Sequence, residues 1–169
     1  MRDGCHFIGT LYRALNPVWA SQPLSGAGAA IYGGRFNRRG RAALYCSLTP
    51  MTAVREANQV GNLQPTTLVG LDADLSPLFD ARDPAMLASK VINAATLAAP
   101  GWREAMRGGA MSSGQAMAER LVKAGFCGLL VPSYARGAAA DATNIILWRW
   151  GEAGNRVKLV DPTGSLGKA

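Results

Sequence analysis

One continuous block, Tyr32 to Val60, constrains this chain more than any other stretch, because a loop, a strand and a helix follow one another there without a break. It opens on Tyr32-Gly33-Gly34-Arg35-Phe36-Asn37-Arg38-Arg39-Gly40-Arg41. Gly33 and Gly34 let the backbone take positive φ and approach a ligand closely. Four arginines stand within the seven positions from Arg35 to Arg41. Each guanidinium is a planar fork of donors matched to phosphate, so a glycine-arginine loop suits a pyrophosphate. Ala43 to Leu48 then reads as a short buried strand. Alternation puts Ala43, Tyr45 and Ser47 on one face and Leu44, Cys46 and Leu48 on the other.

The block ends in a helix. Thr49 is a suitable N-cap, Pro50 fits the first helical position, and Met51 to Val60 follow before Gly61 as a stop signal. Ala53, Ala57 and Val60 recur at helical spacing and define a packed face. Glu56 falls on that same face, where an acid requires a partner or a purpose. Read one at a time, these residues have plainer explanations: a rim carboxylate, a solvated charge run, a half-buried strand tyrosine.

Composition narrows the classes. The chain has 169 residues, enough for one domain with a real core, expected over 1–169 with a folded part at 8–161 and flexible termini. Apolar residues make up 49% and charged residues only 17%, which excludes a disordered chain. Twenty glycines predict many turns and so a β-containing fold. The net charge of +7 points to an anionic ligand, an acidic partner or nucleic acid. No zinc-finger spacing, basic helix or aromatic RNA-binding signature accompanies it, so direct nucleic-acid binding is the weaker option. Three cysteines and one histidine give no disulfide framework, no metal-ligand set and no histidine triad. Cys46 and Cys127 sit in apolar runs and read as small core residues. With no apolar run of about 18 residues and no signal-peptide core, the expectation is a cytoplasmic protein without a membrane span.

Along the rest of the chain, Phe7 to Ala14 reads as a first strand. It contains Arg13, either a surface arginine or a second phosphate or ribose contact. Asn16 to Ile31 reads as a long loop that lines a site or covers it. Thr66 to Leu75 is the clearest strand, with Val69, Leu71, Ala73 and Leu75 on one face and Asp72 and Asp74 on the other, where alternate carboxylates read as a solvated face or as partners for nearby arginines sooner than as catalytic acids. Ser76 to Gly109 reads as short helices, one started by Asp83-Pro84 and another over Trp102 to Arg107. Met111 to Lys123 is a stronger helix, ended by Gly125. No chemistry is legible in this middle region. Phe126 to Val131 is a buried strand ending at Pro132-Ser133. Local sequence leaves Ser133 open between capping a turn and bonding a ligand or Glu56. Asn144 to Trp150 and Arg156 to Val160 read as a closing hairpin, with Trp148 and Trp150 on one face.

The order Gly33-Gly34-Arg35-Phe36-Asn37, then Tyr45-Cys46-Ser47, then Ala53-Val54-Arg55-Glu56 resembles the RES domain, a family of bacterial toxins that consume NAD. Arg35, Glu56 and Ser133 match the arginine, glutamate and serine of the family's name. Leu11-Tyr12-Arg13-Ala14 resembles its opening strand, and Asn144 before Ile145-Ile146-Leu147 its late Asn-plus-strand element. The resemblance runs from Tyr12 to Trp148, is dense over residues 33–56 and is thin between 76 and 125. It implies an α+β fold like that of the ADP-ribosyltransferases: a small, mostly antiparallel β core, split or sandwiched, with short helices around it. It further implies NAD+ as substrate, no metal, and a toxin restrained by an Xre-like antitoxin that blocks the active site. Arg35, Tyr45 and Glu56 are the implied catalytic residues. Arg13, Arg35, Asn37, Tyr45, Ser133 and Asn144 are the implied binding residues, with Tyr45 stacked on the nicotinamide. ADP-ribose would pass to water, phosphate or a target protein. Two rival expectations are a nucleic-acid-binding regulator using Arg35–Arg41 and an inactive interaction module that keeps the fold.

Overall fold

The structure is a computed structural model that describes residues 4–59, 62–152 and 154–166. The expected helix end at Val60, the stop at Gly61 and the outermost terminal residues lie outside the described residues. Among the described residues six strands carry the fold: β1 (Cys5–Leu15), β2 (Leu44–Ser47), β3 (Thr67–Asp80), β4 (Gly128–Pro132), β5 (Thr143–Leu147) and β6 (Asn155–Leu159). They form one sheet in the order β1-β2-β5-β4-β3-β6, and β1 also pairs β3. The strands therefore close into a ring, with β6 attached outside it, rather than forming separate or sandwiched sheets. Among the described residues only the β3–β4 pairing is parallel, so the expected antiparallel character holds.

The length of β3 explains the closure. One of its edges pairs β1, while the other holds β6 along Leu71–Leu75 and β4 along Leu78–Asp80. The strand expected from the sequence stops at Leu75, before Pro77. The strand continues because Pro77 contributes its carbonyl, which accepts from the Cys127 N–H at 2.9 Å, and because Leu78 and Phe79 are fully buried. The expected hairpin between the last two strands does not form. Both edges of β5 are already taken by β2 and β4, so β6 goes to the open edge of β3, where Val157 enters the core.

Strand alternation divides the apolar residues into two cores. Leu11, Leu44, Leu71, Leu130, Ile145 and Val157, one from each strand, belong to the first. Phe79, Leu129, Val131 and Ile146 face the other way. There they meet Leu97 of α4 (Ala94–Ala98) and Met117, Ala118 and Leu121 of α6 (Ser113–Lys123). Burying one such side chain is worth about 1.5–3 kcal/mol. A one-residue slip of β2 would turn Leu44 and Cys46 out of the first core together, so the register is firmly set. Burial pushes the Cys46 thiol up to about 12 and the Cys127 thiol up to about 11, as fits inert core cysteines. Trp148 stays with the second core while Trp150 packs against the first, because the strand has ended at Leu147 and the expected shared face is lost.

Helices begin where the sequence signals them. In α2 (Pro50–Ala57) Thr49 Oγ1 accepts from the Thr52 N–H at 3.2 Å. In α3 (Pro84–Ser89) Asp83 accepts from the Ala85 N–H at 2.8 Å. The helix α5 (Trp102–Arg107) keeps its expected bounds. α6 starts two residues later than expected, at a capping box between Ser112 and Gln115. Asn16 to Ile31 is less open than its composition suggests. Pro17–Trp19 forms a 3-10 turn capped by Asn16, and α1 (Ala27–Tyr32) ends at Gly33, whose φ of 71° suits glycine. Asp72 pairs with Arg156 at 2.6 Å and Asp74 with His6 at 2.6 Å, so both are outward surface groups. Among the described residues no helix is long and apolar enough to cross a membrane.

Candidate functional site

A cavity of about 440 Å³ opens where β2, α2, the 33–36 loop and α5 meet, and its lining includes Arg35, Tyr45, Glu56 and Asn144. That volume is in the range of small-molecule sites.

Glu56 is the most tightly held of these groups. Thr52 and Ala53 are the buried residues of α2, and Glu56 follows them at helical spacing. Ala57, expected on the packed face, is exposed and borders the cavity instead. Glu56 Oε1 accepts from Ser133 Oγ at 2.5 Å and from Asn144 Nδ2 at 2.5 Å, while Oε2 accepts from Gln59 Nε2. Asn144 Oδ1 in turn accepts from Ser47 Oγ at 2.7 Å, across the Ser47–Asn144 register pair. Side chains from β2, β5 and the end of β4 thus fix one carboxylate at the cavity. Ser133 fills both of its possible parts, since its hydroxyl also accepts from the Ala135 N–H at 3.3 Å.

Arg35 stands across the same space. Its Nη1 donates to the carbonyls of Leu97 and Ala99 at 3.3 and 2.9 Å, and its guanidinium lies 5.3 Å from the Tyr134 ring centroid. Burial lowers its pKa, and the negative charge of Glu56 opposes that shift. Arg13 also borders the cavity. It donates to the carbonyls of Pro23 (2.7 Å) and Ser25 (3.1 Å), which ties down the segment after β1.

The remaining loop residues hold the site without facing it. Asn37 is fully buried and is not part of the cavity wall. Its amide donates to the carbonyls of Ala29 and Arg41, and its oxygen accepts from Tyr45 Oη at 2.7 Å. The binding role expected for Asn37 is therefore replaced by loop bracing. Tyr45 keeps its ring on the cavity, but its hydroxyl also accepts from the Phe36 N–H at 3.0 Å. Burial pushes the phenol well above its usual range, so it remains a protonated donor. Tyr45→Phe leaves a buried amide and a buried carboxamide oxygen without this partner and is expected to cost about 1–3 kcal/mol. Urea unfolding measures this; an unchanged midpoint would show that the hydroxyl braces nothing.

The four-arginine cradle does not assemble. Arg41 bonds Glu119 of α6 through Nε and, at 2.7 Å, through Nη2, and Arg38 lies 3.4 Å from the same carboxylate. These two cations anchor the loop to α6 rather than line the cavity. Their partner was invisible locally because Glu119 lies far along the chain. Arg41 holds the Glu119 carboxyl below its usual pKa of 4.5. A depressed folded pKa gives stability that is present above pH 4.5 and is lost as pH falls through the folded value. Glu119→Gln should therefore flatten the acid side of the stability-pH profile below about pH 4.5, as read by thermal melts. A variant profile parallel to wild type would remove the ion pair from the account.

Sequence reasoning missed the contribution of α5. Trp102 and Arg103 border the cavity, with the Arg103 guanidinium 4.2 Å from the Trp102 ring centroid. Neither fits a local motif; the close packing of Gly33 against Met106 and the Arg35 bonds to the Leu97 and Ala99 carbonyls bring α5 to the loop. Tyr134, beside Ser133, also borders the cavity; its only sequence signal is an aromatic at a strand end next to a polar residue.

The family model of the RES domain matches residues 10–167. The chain belongs to the RES domain family. Among solved structures, this RES domain is similar to a chain of the crystal structure of the M. tuberculosis MbcT–MbcA toxin–antitoxin complex. The TM-score is 0.67 at 19% identity, covering 95% of this chain and 85% of that one, a likeness of fold alone. No curated protein matches the sequence. Among the described residues of this RES domain, no group of three or more His, Cys, Asp or Glu side chains is gathered as metal ligands would be.

Proposed function

We propose that this RES domain is the toxin of a bacterial toxin–antitoxin pair and cleaves NAD+ at the bond between nicotinamide and ribose. The observation that carries the reading is one carboxylate, Glu56, held by Ser133, Asn144 and Gln59 beside the same cavity as Arg35. When the glycosidic bond breaks, its electron pair leaves with nicotinamide, which departs neutral. The sugar left behind has oxocarbenium character, and a fixed carboxylate next to it stabilises the developing positive charge. The donors around Glu56 prevent it from turning away and need no reorganisation during the step.

Arg35 holds the diphosphate or the adjacent ribose with the guanidinium nitrogens not spent on Leu97 and Ala99. Tyr45 offers a ring face to the nicotinamide, and its hydroxyl keeps that ring in place. Asn144 and Ser133 act on the substrate through Glu56. The site resembles those of ADP-ribosyltransferases in using an arginine, an aromatic ring and an acid. The acceptor of ADP-ribose is water, phosphate or a protein side chain; with water, the attacking oxygen loses its proton to solvent or to Glu56.

The partner is an Xre-like antitoxin that occupies the cavity mouth, with both proteins in the cytoplasm. The toxin–antitoxin complex to which the fold is similar supports an antitoxin as partner. Incubation of the purified chain with NAD+, followed by mass analysis of nicotinamide and of intact proteins from lysate, tests the activity and identifies the acceptor. Absence of nicotinamide release by the wild-type chain would refute it.

A further inference from the structure

We infer that Trp102 and Arg103 of α5 form, with Arg35, the subsite for the diphosphate of the dinucleotide. This rests on the reading of the cavity as a nucleotide site and assigns part of that site to a region whose sequence shows no motif.

The first argument is charge. Among the described residues the cavity wall carries Arg13, Arg35 and Arg103 against a single acid, Glu56. Both Glu56 oxygens are occupied by neutral donors. Arg13 is committed to the carbonyls of Pro23 and Ser25, and Arg38 and Arg41 are turned to Glu119. Arg103 has no carboxylate partner among the described residues; it rests on the Trp102 ring. Its like charge adds to burial in lowering the Arg35 pKa. Two guanidiniums close enough to repel, both bordering one cavity, are the arrangement that a doubly charged group between them relieves.

The second argument is an unpaired donor. Trp102 Nε1 is buried and has no hydrogen-bond partner, whereas the indoles of Trp148 and Trp150 donate to the carbonyls of Phe36 and Leu24. Buried N–H groups are ordinarily paired. A phosphate oxygen drawn in by Arg103, as its guanidinium lifts from the ring, supplies the missing acceptor.

The third argument is placement. Arg35 bonds the carbonyls of Leu97 and Ala99, in the segment that leads into α5. A Cβ on Gly33 would come within 2.6 Å of Met106 Sδ, so the loop and α5 fit directly together. The residue that holds one side of the diphosphate also holds the segment that presents the other.

Calorimetric titration of the full chain with ADP, inorganic pyrophosphate and adenosine tests the assignment. Arg103→Gln and Trp102→Phe, which keeps an aromatic ring and removes the N–H, should each weaken ADP about tenfold, the loss expected for one charge-assisted hydrogen bond. Pyrophosphate should weaken in parallel, while adenosine binding stays unchanged. Arg103 is exposed, so Arg103→Gln should melt as wild type does and remain informative if Trp102→Phe is unstable. ADP binding that is equal in wild type and Arg103→Gln, or that is no tighter than adenosine in wild type, overturns the inference. Nicotinamide release from NAD+ is read separately. Release by the wild type with ADP binding indifferent to Arg103 removes the subsite and leaves the activity. ADP binding that depends on Arg103, without release, keeps the subsite and removes NAD+ cleavage.

Discussion

Glu56→Gln should lower nicotinamide release from NAD+ by about 10²–10³-fold while leaving the thermal midpoint close to that of the wild type. The substitution keeps the size and shape of the side chain. One oxygen remains to accept from Ser133 Oγ and Asn144 Nδ2, as Oε1 does in the wild type. The new amide nitrogen then faces Gln59, an exposed residue that can turn its own oxygen inward. What is lost is the negative charge beside the ribose, which matters only as positive charge develops. The effect should therefore fall equally on kcat and kcat/KM, with KM nearly constant. Mass analysis of nicotinamide across a range of NAD+ concentrations separates the two parameters. A variant as fast as the wild type would mean that Glu56 is merely a hub for Ser133 and Asn144. A raised KM at constant kcat would mean that it binds the sugar without acting on the step.

Much of this site was legible because its signals are local. Thr49-Pro50 starts α2 by capping alone, and counting from it places Glu56 beside the buried Thr52 and Ala53. Alternation along β2 put Tyr45 and Ser47 on one face and Leu44 and Cys46 on the other, and the two cores follow that division. What the sequence hid depends on distant partners. Arg38 and Arg41 look like phosphate ligands until Glu119 is brought against them by α6. Asn37 looks like a ligand residue until the carbonyls of Ala29 and Arg41 close around it. The fate of β6 depended on which strand edge was free, a property of the closed ring and not of any hairpin signal in residues 144–160. Trp102 and Arg103 had no pattern to betray them, since their place is set by Gly33, Arg35 and Met106 from outside.

Gly34→Ala is expected to destabilise the chain by about 2–4 kcal/mol, combining an overpacked contact with a damaged buried hydrogen bond. A Cβ at position 34 would meet Tyr45 Oη and come within 2.6 Å of Asn37 Oδ1. Those two atoms are themselves hydrogen-bonded at 2.7 Å, so the methyl group enters the bond that braces the loop. The backbone has little room to retreat. The Gly34 N–H donates to the Asn37 carbonyl at 2.9 Å, and the Gly34 carbonyl accepts from Gln115 Nε2 at 2.9 Å. Gly101, with no heavy atom within 4 Å of its would-be Cβ, is the control position, and Gly101→Ala should change stability little. At this chain length the predicted loss corresponds to a thermal midpoint lower by roughly 5–15 °C. Because Arg35 is the next residue, any loop that survives by shifting must carry the guanidinium away from Leu97 and Ala99. ADP binding should then fall with the melting temperature. A Gly34→Ala chain that melts and binds like the wild type would show that Tyr45 and Asn37 do not hold this loop, and would leave the position of Arg35 without its physical cause.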